Sequence, residues 1–145
     1  AQAAQRSPQD LPTLLVLGPA ESAVSVPPEA RVLRHGRGEV RRLVALGALV
    51  ANVGGEVLGP DQGATHVLAA AGASCRVVFG AQDFRCTAPP AATVLVHPSP
   101  PSCSPCRQRR CTHAAGPVCM DFAPPDGRVA CRSLAEDLAG HPPPP

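Results

Sequence analysis

The feature that most constrains this chain is a strand–turn–helix–strand unit in its middle. A short apolar strand runs into a turn with the pattern Asp-x-Gly-x-x-His, from Asp61 to His66. Small residues then predict a helix at 67–72, and an apolar run at 76–79 predicts the next strand, which ends at Gly80. Two strands joined by a helix form a βαβ unit, so they should be parallel. The turn then lies at the carboxyl end of a parallel strand, where open α/β sheets bind their ligands.

The rest of the chain continues the alternation of strands and helices. This order predicts an α/β fold, a Rossmann-like parallel sheet with helices on both faces. We expect one domain over 11–140, preceded by a tail or linker at 1–10 and followed by a disordered tail at 141–145. Outside the central unit, strands are predicted at 13–17, 31–33, within 51–58 and at 93–96, helices at 39–50 and 128–139, and a loop rich in cysteine and proline at 98–120.

The composition limits which classes of binding partner and which cellular compartments fit this chain. Apolar residues make up 44% of the 145 residues but aromatic residues only 2%, so the core must consist mainly of Ala, Val and Leu. A net charge of +2 does not favour nucleic acid as a partner. No apolar run approaches the roughly 20 residues that span a bilayer, and the first ten residues lack the pattern of a signal peptide. We therefore predict a cytoplasmic chain with at most peripheral contact to a membrane.

The residue types in the Asp-x-Gly-x-x-His turn are suited to binding a phosphate. Asp61 is placed to cap the helix by accepting a backbone N–H bond, and Gly63 permits close approach of a ligand to the backbone. Thr65 and His66 would lie in the first helical turn, within reach of a pyrophosphate oxygen. The alternative is an ordinary turn, because Asp-x-Gly is common and a histidine near a helix start often packs or faces solvent.

A second turn and a cysteine segment follow in a fixed order. Gly80 comes after the next strand, and a Cys-Ser-Pro-Cys segment, Cys103 to Cys106, follows a further strand. Over residues 11–138 this order resembles the C-terminal half of glycosyltransferase family 9, the ADP-heptose:lipopolysaccharide heptosyltransferases. These enzymes have an Asp-Ser/Thr-Gly-x-x-His turn, a Phe/Tyr-Gly turn one strand later, and then a Cys-x-Pro-Cys segment. The chain departs from the pattern at Pro60, often Asn in the family, and at Gln62, where the family has a small hydroxyl residue.

The resemblance implies the donor-binding lobe of a GT-B glycosyltransferase. The donor would be an ADP-sugar of the ADP-heptose type, and the acceptor a lipopolysaccharide core or related glycan. In this family an acidic residue in the region after the first strand contacts the ribose, which makes Glu21 the candidate here. The alternative is that Glu21 is an ordinary glutamate exposed to solvent. His66 is the candidate that stabilises the departing diphosphate, and the chemistry requires no cofactor. The residues that would bind the donor phosphates are Asp61, Gln62, Gly63, Thr65, His66 and Gly80.

The acceptor site and catalytic base of such enzymes belong to an N-terminal lobe. We expect that lobe in a separate polypeptide, so that this chain alone has little activity, and a location at the inner face of the membrane. Two alternatives stay open at this point: a non-enzymatic module that binds a nucleotide or a metal, and a truncated remnant of an enzyme.

Four cysteines stand close together in the loop at 98–120. Their spacing, Cys-x2-Cys-x4-Cys-x7-Cys, begins like a structural zinc site but does not close like one. Structural zinc, reduced thiols in a surface loop, and redox or disulfide use are all compatible with this spacing. The basic run at 107–110 should lower the pKa of the thiols, and it could meet anionic sugar phosphates or lipid head groups or simply face solvent. The four candidate metal ligands are Cys103, Cys106, Cys111 and Cys119.

Overall fold

The computed structural model describes residues 14–21, 24–26, 28, 31–121 and 131–133. It shows an α/β fold with two sheets, and the chain divides into two compact units, Ala1–Arg42 and Leu43–Pro145. This fold class is compatible with the Rossmann-like prediction. The predicted tails at 1–10 and 141–145 lie outside the described residues.

The first unit contains a two-stranded parallel sheet. Strand β1 (Leu14–Leu17) pairs in register with β2 (Arg31–Arg34), so that Leu15 lies opposite Val32. A short 3-10 turn, Pro19–Glu21, follows β1. Both strands were predicted from their apolar runs.

The second unit contains a four-stranded sheet in the order β3-β4-β5-β6. The first three strands are parallel, and β6 is antiparallel to β5. Helix α1 (Val40–Asn52) precedes the strands of this unit, and the spacing of its apolar residues predicts a helix there. The remaining elements are β3 (Glu56–Pro60), α2 (Gly63–Ala70), β4 (Ser74–Phe79), α3 (Phe84–Thr87), β5 (Thr93–Val96) and β6 (Cys131–Ser133).

The core of this unit lies along β4 and β5. Val77 and Val94 are fully buried, and each such burial is worth about 1.5–3 kcal/mol. Phe79 packs edge-to-face on Phe84, with ring centroids 6.2 Å apart, so two of the three phenylalanines meet where β4 ends. Gly47 of α1 lies so close to α2 that a Cβ there would fall 2.8 Å from the carbonyl oxygen of Leu68.

The predicted strands and helices differ from the observed ones by a few residues at several ends, and two of them differ most. Helix α2 begins at Gly63 rather than at residue 67, because the turn residues themselves adopt helical geometry. Within the terminal helix predicted at 128–139, Cys131–Ser133 is instead a strand that pairs with β5, and the rest of that segment lies outside the described residues. Pairing with a neighbouring strand overrides the helical spacing in this short segment.

Among the described residues, no helix is long and apolar enough to cross a membrane.

Candidate functional site

The turn at residues 61–66, called here the histidine turn, lies at the carboxyl end of β3. Thr65 and His66 fall in the first turn of α2, as predicted. Asp61 does not cap the helix, contrary to prediction: the N-cap residue is Gln62, in extended conformation, and its side chain makes no capping hydrogen bond. Within the part of the chain that the structure describes, no side chain caps the first backbone N–H groups of α2, and the helix dipole places partial positive charge there.

The Asp61 carboxylate instead bonds two side chains. Its Oδ1 lies 2.7 Å from Nε2 of His66, and its Oδ2 accepts a 3.0 Å hydrogen bond from the hydroxyl of Thr87. The Asp61 side chain is 14% exposed and that of His66 is 35% exposed, so the ring remains partly accessible. The contact fixes the orientation of the imidazole relative to the start of α2.

Thr65 has a packing role in this structure. It is buried at 3% exposure, and a Cβ added to Gly59 would lie 2.6 Å from its hydroxyl oxygen. Gly59 therefore allows β3 to lie against the start of α2. The side chain of Thr65 occupies this space between strand and helix, whereas Gln62 and Gly63 are exposed at the turn.

The second turn, residues 80–85, is called here the arginine turn, and it follows β4. Gly80 is buried: its carbonyl accepts a 2.7 Å hydrogen bond from Ser104, and a Cβ on it would lie 3.2 Å from Sγ of Cys119. The segment that lies close to this glycine is therefore the loop at 98–120, called here the cysteine loop. Sequence reasoning had placed Gly80 beside a phosphate.

Asp83 is the central charge of the arginine turn, and the sequence did not single it out as a site residue. Its carboxylate is 5% exposed and receives the guanidinium of Arg85 at 2.7 Å and that of Arg107 at 3.3 Å. It also caps α3 by accepting the Arg85 backbone N–H at 3.1 Å. The hydrogen bonds from Arg85 lower the pKa of Asp83 to about 2, against the opposing effect of burial.

A cavity of about 260 Å³ lies between the arginine turn and the cysteine loop, at the carboxyl ends of β4 and β5. This size suits a ring or a fragment of a larger ligand rather than a whole nucleotide sugar. Gly80 is the only predicted donor residue that contributes to its wall. The lining residues are Phe79, Gly80, Gln82, Asp83, Phe84, Arg85, Val96, His97, Pro98, Pro100, Ser104, Pro105 and Cys119.

The cysteine loop contains free thiols. Cys119 is buried, Cys106 half-buried, and Cys103 and Cys111 are exposed. Burial raises the pKa of Cys119, and the neighbouring Cys106, Cys111 and Cys103 raise it further, so the expected lowering by the arginine run was wrong for this thiol. Over the described residues, no three His, Cys, Asp or Glu side chains stand as a group that could bind a metal ion. Structural zinc at these cysteines remains a prediction.

Glu21 belongs to the first unit. Its carboxylate accepts the backbone N–H of Gly18 at 2.6 Å, which closes the 3-10 turn after β1. Its predicted contact with a ribose remains a prediction.

Comparison with known proteins gives no relative for this chain. No family model, no curated protein and no solved structure matches it.

Proposed function

We propose that this chain is the donor-binding lobe of a heptosyltransferase-like glycosyltransferase of family 9, with the GT-B arrangement of helices on both faces of its sheet. It binds an ADP-sugar through the diphosphate. The observation that carries the proposal is the histidine turn: an uncapped helix N-terminus at the carboxyl edge of a parallel sheet, with an imidazole oriented beside it by a carboxylate.

The proposed mechanism is electrostatic. As the bond between sugar and diphosphate breaks, negative charge grows on the departing phosphate oxygens. The first N–H groups of α2 donate to those oxygens, and a protonated His66 places a positive charge beside them. These groups are already oriented before the reaction, so little reorganisation opposes the step. A lipopolysaccharide core or related glycan is the proposed acceptor, and a second lobe supplies its site and the catalytic base.

Calorimetric titration with ADP and with an ADP-sugar tests the proposal. His66→Ala should weaken both affinities by about 10- to 100-fold, because a charge-assisted hydrogen bond contributes about 1.5–3 kcal/mol. Asp61→Ala should also weaken them, because the ring then loses its orientation. His113→Ala is the matched control, since His113 lies exposed in the cysteine loop and its ring accepts a local N–H bond from Ala115.

Circular dichroism must show that each variant is folded. A folded wild-type chain that binds neither ligand contradicts the donor-lobe proposal. Equal loss of affinity in His113→Ala and His66→Ala would show that the histidine turn is not the binding site. Binding of ADP with no preference for the ADP-sugar would favour a nucleotide-binding module over a transferase lobe.

A further inference from the structure

The cavity beside the arginine turn is separate from the proposed donor site. Of the described residues that line it, none belongs to the histidine turn, so a ligand here does not depend on the donor-lobe proposal. The cavity lies at the carboxyl ends of two neighbouring parallel strands, β4 and β5, which is where open α/β sheets bind ligands. Its volume of about 260 Å³ is near the lower end of the range for small-molecule sites, about 300–1,000 Å³, and suits a ring system with one substituent.

Much of the cavity wall is apolar and rigid. Phe84 packs edge-to-face on the buried Phe79, and both residues line the cavity, as does Val96 at the end of β5. Three prolines add to this wall: Pro98, Pro100 and Pro105. Proline has no side-chain rotamer freedom to lose when a ligand binds, and aromatic rings pack favourably on other rings. The wall therefore favours a planar, apolar ring.

The side of the cavity that the cysteine loop forms is attached to the arginine turn by hydrogen bonds. The hydroxyl of Ser104 donates to the carbonyl of Gly80 at 2.7 Å. The backbone N–H of Arg107 donates to the carbonyl of Ala81, also at 2.7 Å. The buried Cys119 lines the same side. Because these contacts join the two walls, the cavity is formed before a ligand binds, which lowers the entropic cost of binding.

The polar part of the wall has an excess of positive charge. Among the described lining residues Asp83 is the acidic one, and its carboxylate contacts the guanidinium groups of Arg85 and Arg107, so one negative charge faces two positive charges. Asp83 engages Nε and Nη2 of Arg85, at 2.9 and 2.7 Å, and within the described part of the chain Nη1 of Arg85 donates to no other group. A guanidinium has five N–H donors, so Arg85 can bind a second anionic oxygen.

We propose that this cavity binds a small aromatic carboxylate, whose ring packs against Phe84 and Val96 and whose carboxylate is bound by Arg85. A neutral molecule with the same ring binds more weakly, because it cannot use the excess positive charge. The site is additional to the histidine turn and takes a different class of ligand.

Fluorescence titration of the full chain with 2-naphthoate tests the proposal. Because the protein contains neither Trp nor Tyr, the emission of the probe is measured with little background from the protein. The matched neutral probe is 2-naphthamide, which has the same ring with an amide in place of the carboxylate. The carboxylate should bind about tenfold more tightly than the amide, because hydrogen bonds between charged groups are about twice as strong as neutral ones.

Arg85→Gln isolates the charge while it keeps an N–H donor near Asp83. This variant should bind 2-naphthoate about tenfold more weakly than wild type and should bind 2-naphthamide with nearly unchanged affinity. Arg109→Gln is the matched control, because Arg109 is exposed in the cysteine loop and is not among the lining residues. It should bind both probes as wild type does.

Protection of a thiol locates the probe in the wild-type chain without any substitution. Saturating 2-naphthoate should slow the alkylation of Cys119 by iodoacetamide several-fold, because this thiol lines the cavity. The exposed Cys111 is outside the lining and should react at an unchanged rate. Mass spectrometry of the digested protein follows each cysteine separately.

A folded wild-type chain that binds neither probe, or both with equal affinity, overturns the proposal. Binding that leaves the alkylation of Cys119 unchanged also overturns it, since the probe then lies elsewhere. Equal weakening in Arg85→Gln and Arg109→Gln contradicts it as well, because general attraction to surface charge would explain the affinity. Binding of 2-naphthoate with protection of Cys119, in a chain that fails to bind ADP in calorimetry, supports this site and contradicts the donor-lobe proposal.

Discussion

The histidine turn and the arginine turn occupy equivalent places in the sheet but have different neighbours. Each follows a parallel strand at its carboxyl end, and each contains an aspartate that bonds a basic side chain. At the histidine turn the start of the helix is uncapped and Gln62 is exposed. At the arginine turn the cysteine loop is attached through Ser104 to Gly80, and Arg107 donates its backbone N–H to Ala81 at 2.7 Å.

The difference teaches that the carboxyl end of a parallel strand is where a ligand can bind in an α/β sheet. Whether the turn at that end is accessible depends on whether a neighbouring loop covers it. A glycine and an aspartate stand in both turns, but a protein segment contacts the arginine turn, whereas the histidine turn is the one at which we propose that the donor binds. The two aspartates provide the strongest test of this contrast.

Asp83→Asn should have the largest effect on stability, about 2 kcal/mol at neutral pH, because it removes the buried charge that Arg85 and Arg107 surround. The pKa of Asp83 in the folded protein, about 2, lies below the ordinary aspartate value of about 3.9, so its contribution to stability is present above about pH 4 and is lost as the pH falls towards 2. Urea unfolding of wild type and variant across this range measures the difference, which should shrink with acidification.

Asp61→Asn is the matched variant at the histidine turn. Asn retains an oxygen that can accept from His66 or Thr87, so the loss should be about 0.5–1 kcal/mol. A larger loss for Asp61→Asn than for Asp83→Asn would contradict the assignment of Asp83 as the attachment point of the cysteine loop.

Gly80→Ala and Gly63→Ala form the second pair. A Cβ on Gly80 would meet Met120 and buried Cys119, so we expect a loss of about 1–2 kcal/mol. A Cβ on Gly63 meets nothing within 4 Å, and in a helix Ala is favoured over Gly by up to about 1 kcal/mol. Denaturant melts of both variants check the contrast, and equal losses would show that the cysteine loop does not cover Gly80.

Variants of Arg107 separate the effect of its side chain from the effect of its backbone conformation. Its φ is +56°, in the left-handed region that favours glycine. Arg107→Gly should therefore be more stable than Arg107→Ala by about 1 kcal/mol, although both lose the ion pair with Asp83. Arg109→Ala, an exposed neighbour, serves as the control in the same thermal melts; an Ala variant as stable as the Gly variant would exclude this backbone strain.

Much of the α/β framework was predictable because it depends on local sequence. Strand β5 was found with its observed bounds, Thr93–Val96, and α1 to within two residues at its end, since apolar spacing and glycine stops are local signals. Strand β6 was missed because a three-residue strand forms only by pairing with β5.

The candidate site was predictable only in part. Asp61, Gly63 and His66 stand out through their spacing in one turn, but the engagement of Asp61 by Thr87 joins residues 26 positions apart and leaves no local pattern. Asp83 precedes a four-residue helix, and its burial follows from two arginines, one of which comes from the cysteine loop. The spacing of four cysteines predicted a cluster, but it could not say which thiol would be buried.

The sequence by itself determined the order of β1 to β5 with α1 and α2, the small-residue core and the polar turn that follows β3. Each of these depends on periodicity and backbone preference over a few neighbouring residues. The tertiary structure alone decided that Asp61 orients His66 instead of capping α2, and that the cysteine loop lies against Gly80. Those outcomes depend on which groups, distant in sequence, compete for the same hydrogen bonds and the same space. A buried polar group must find a hydrogen-bond partner, and the fold decides which residue lies close enough to be that partner.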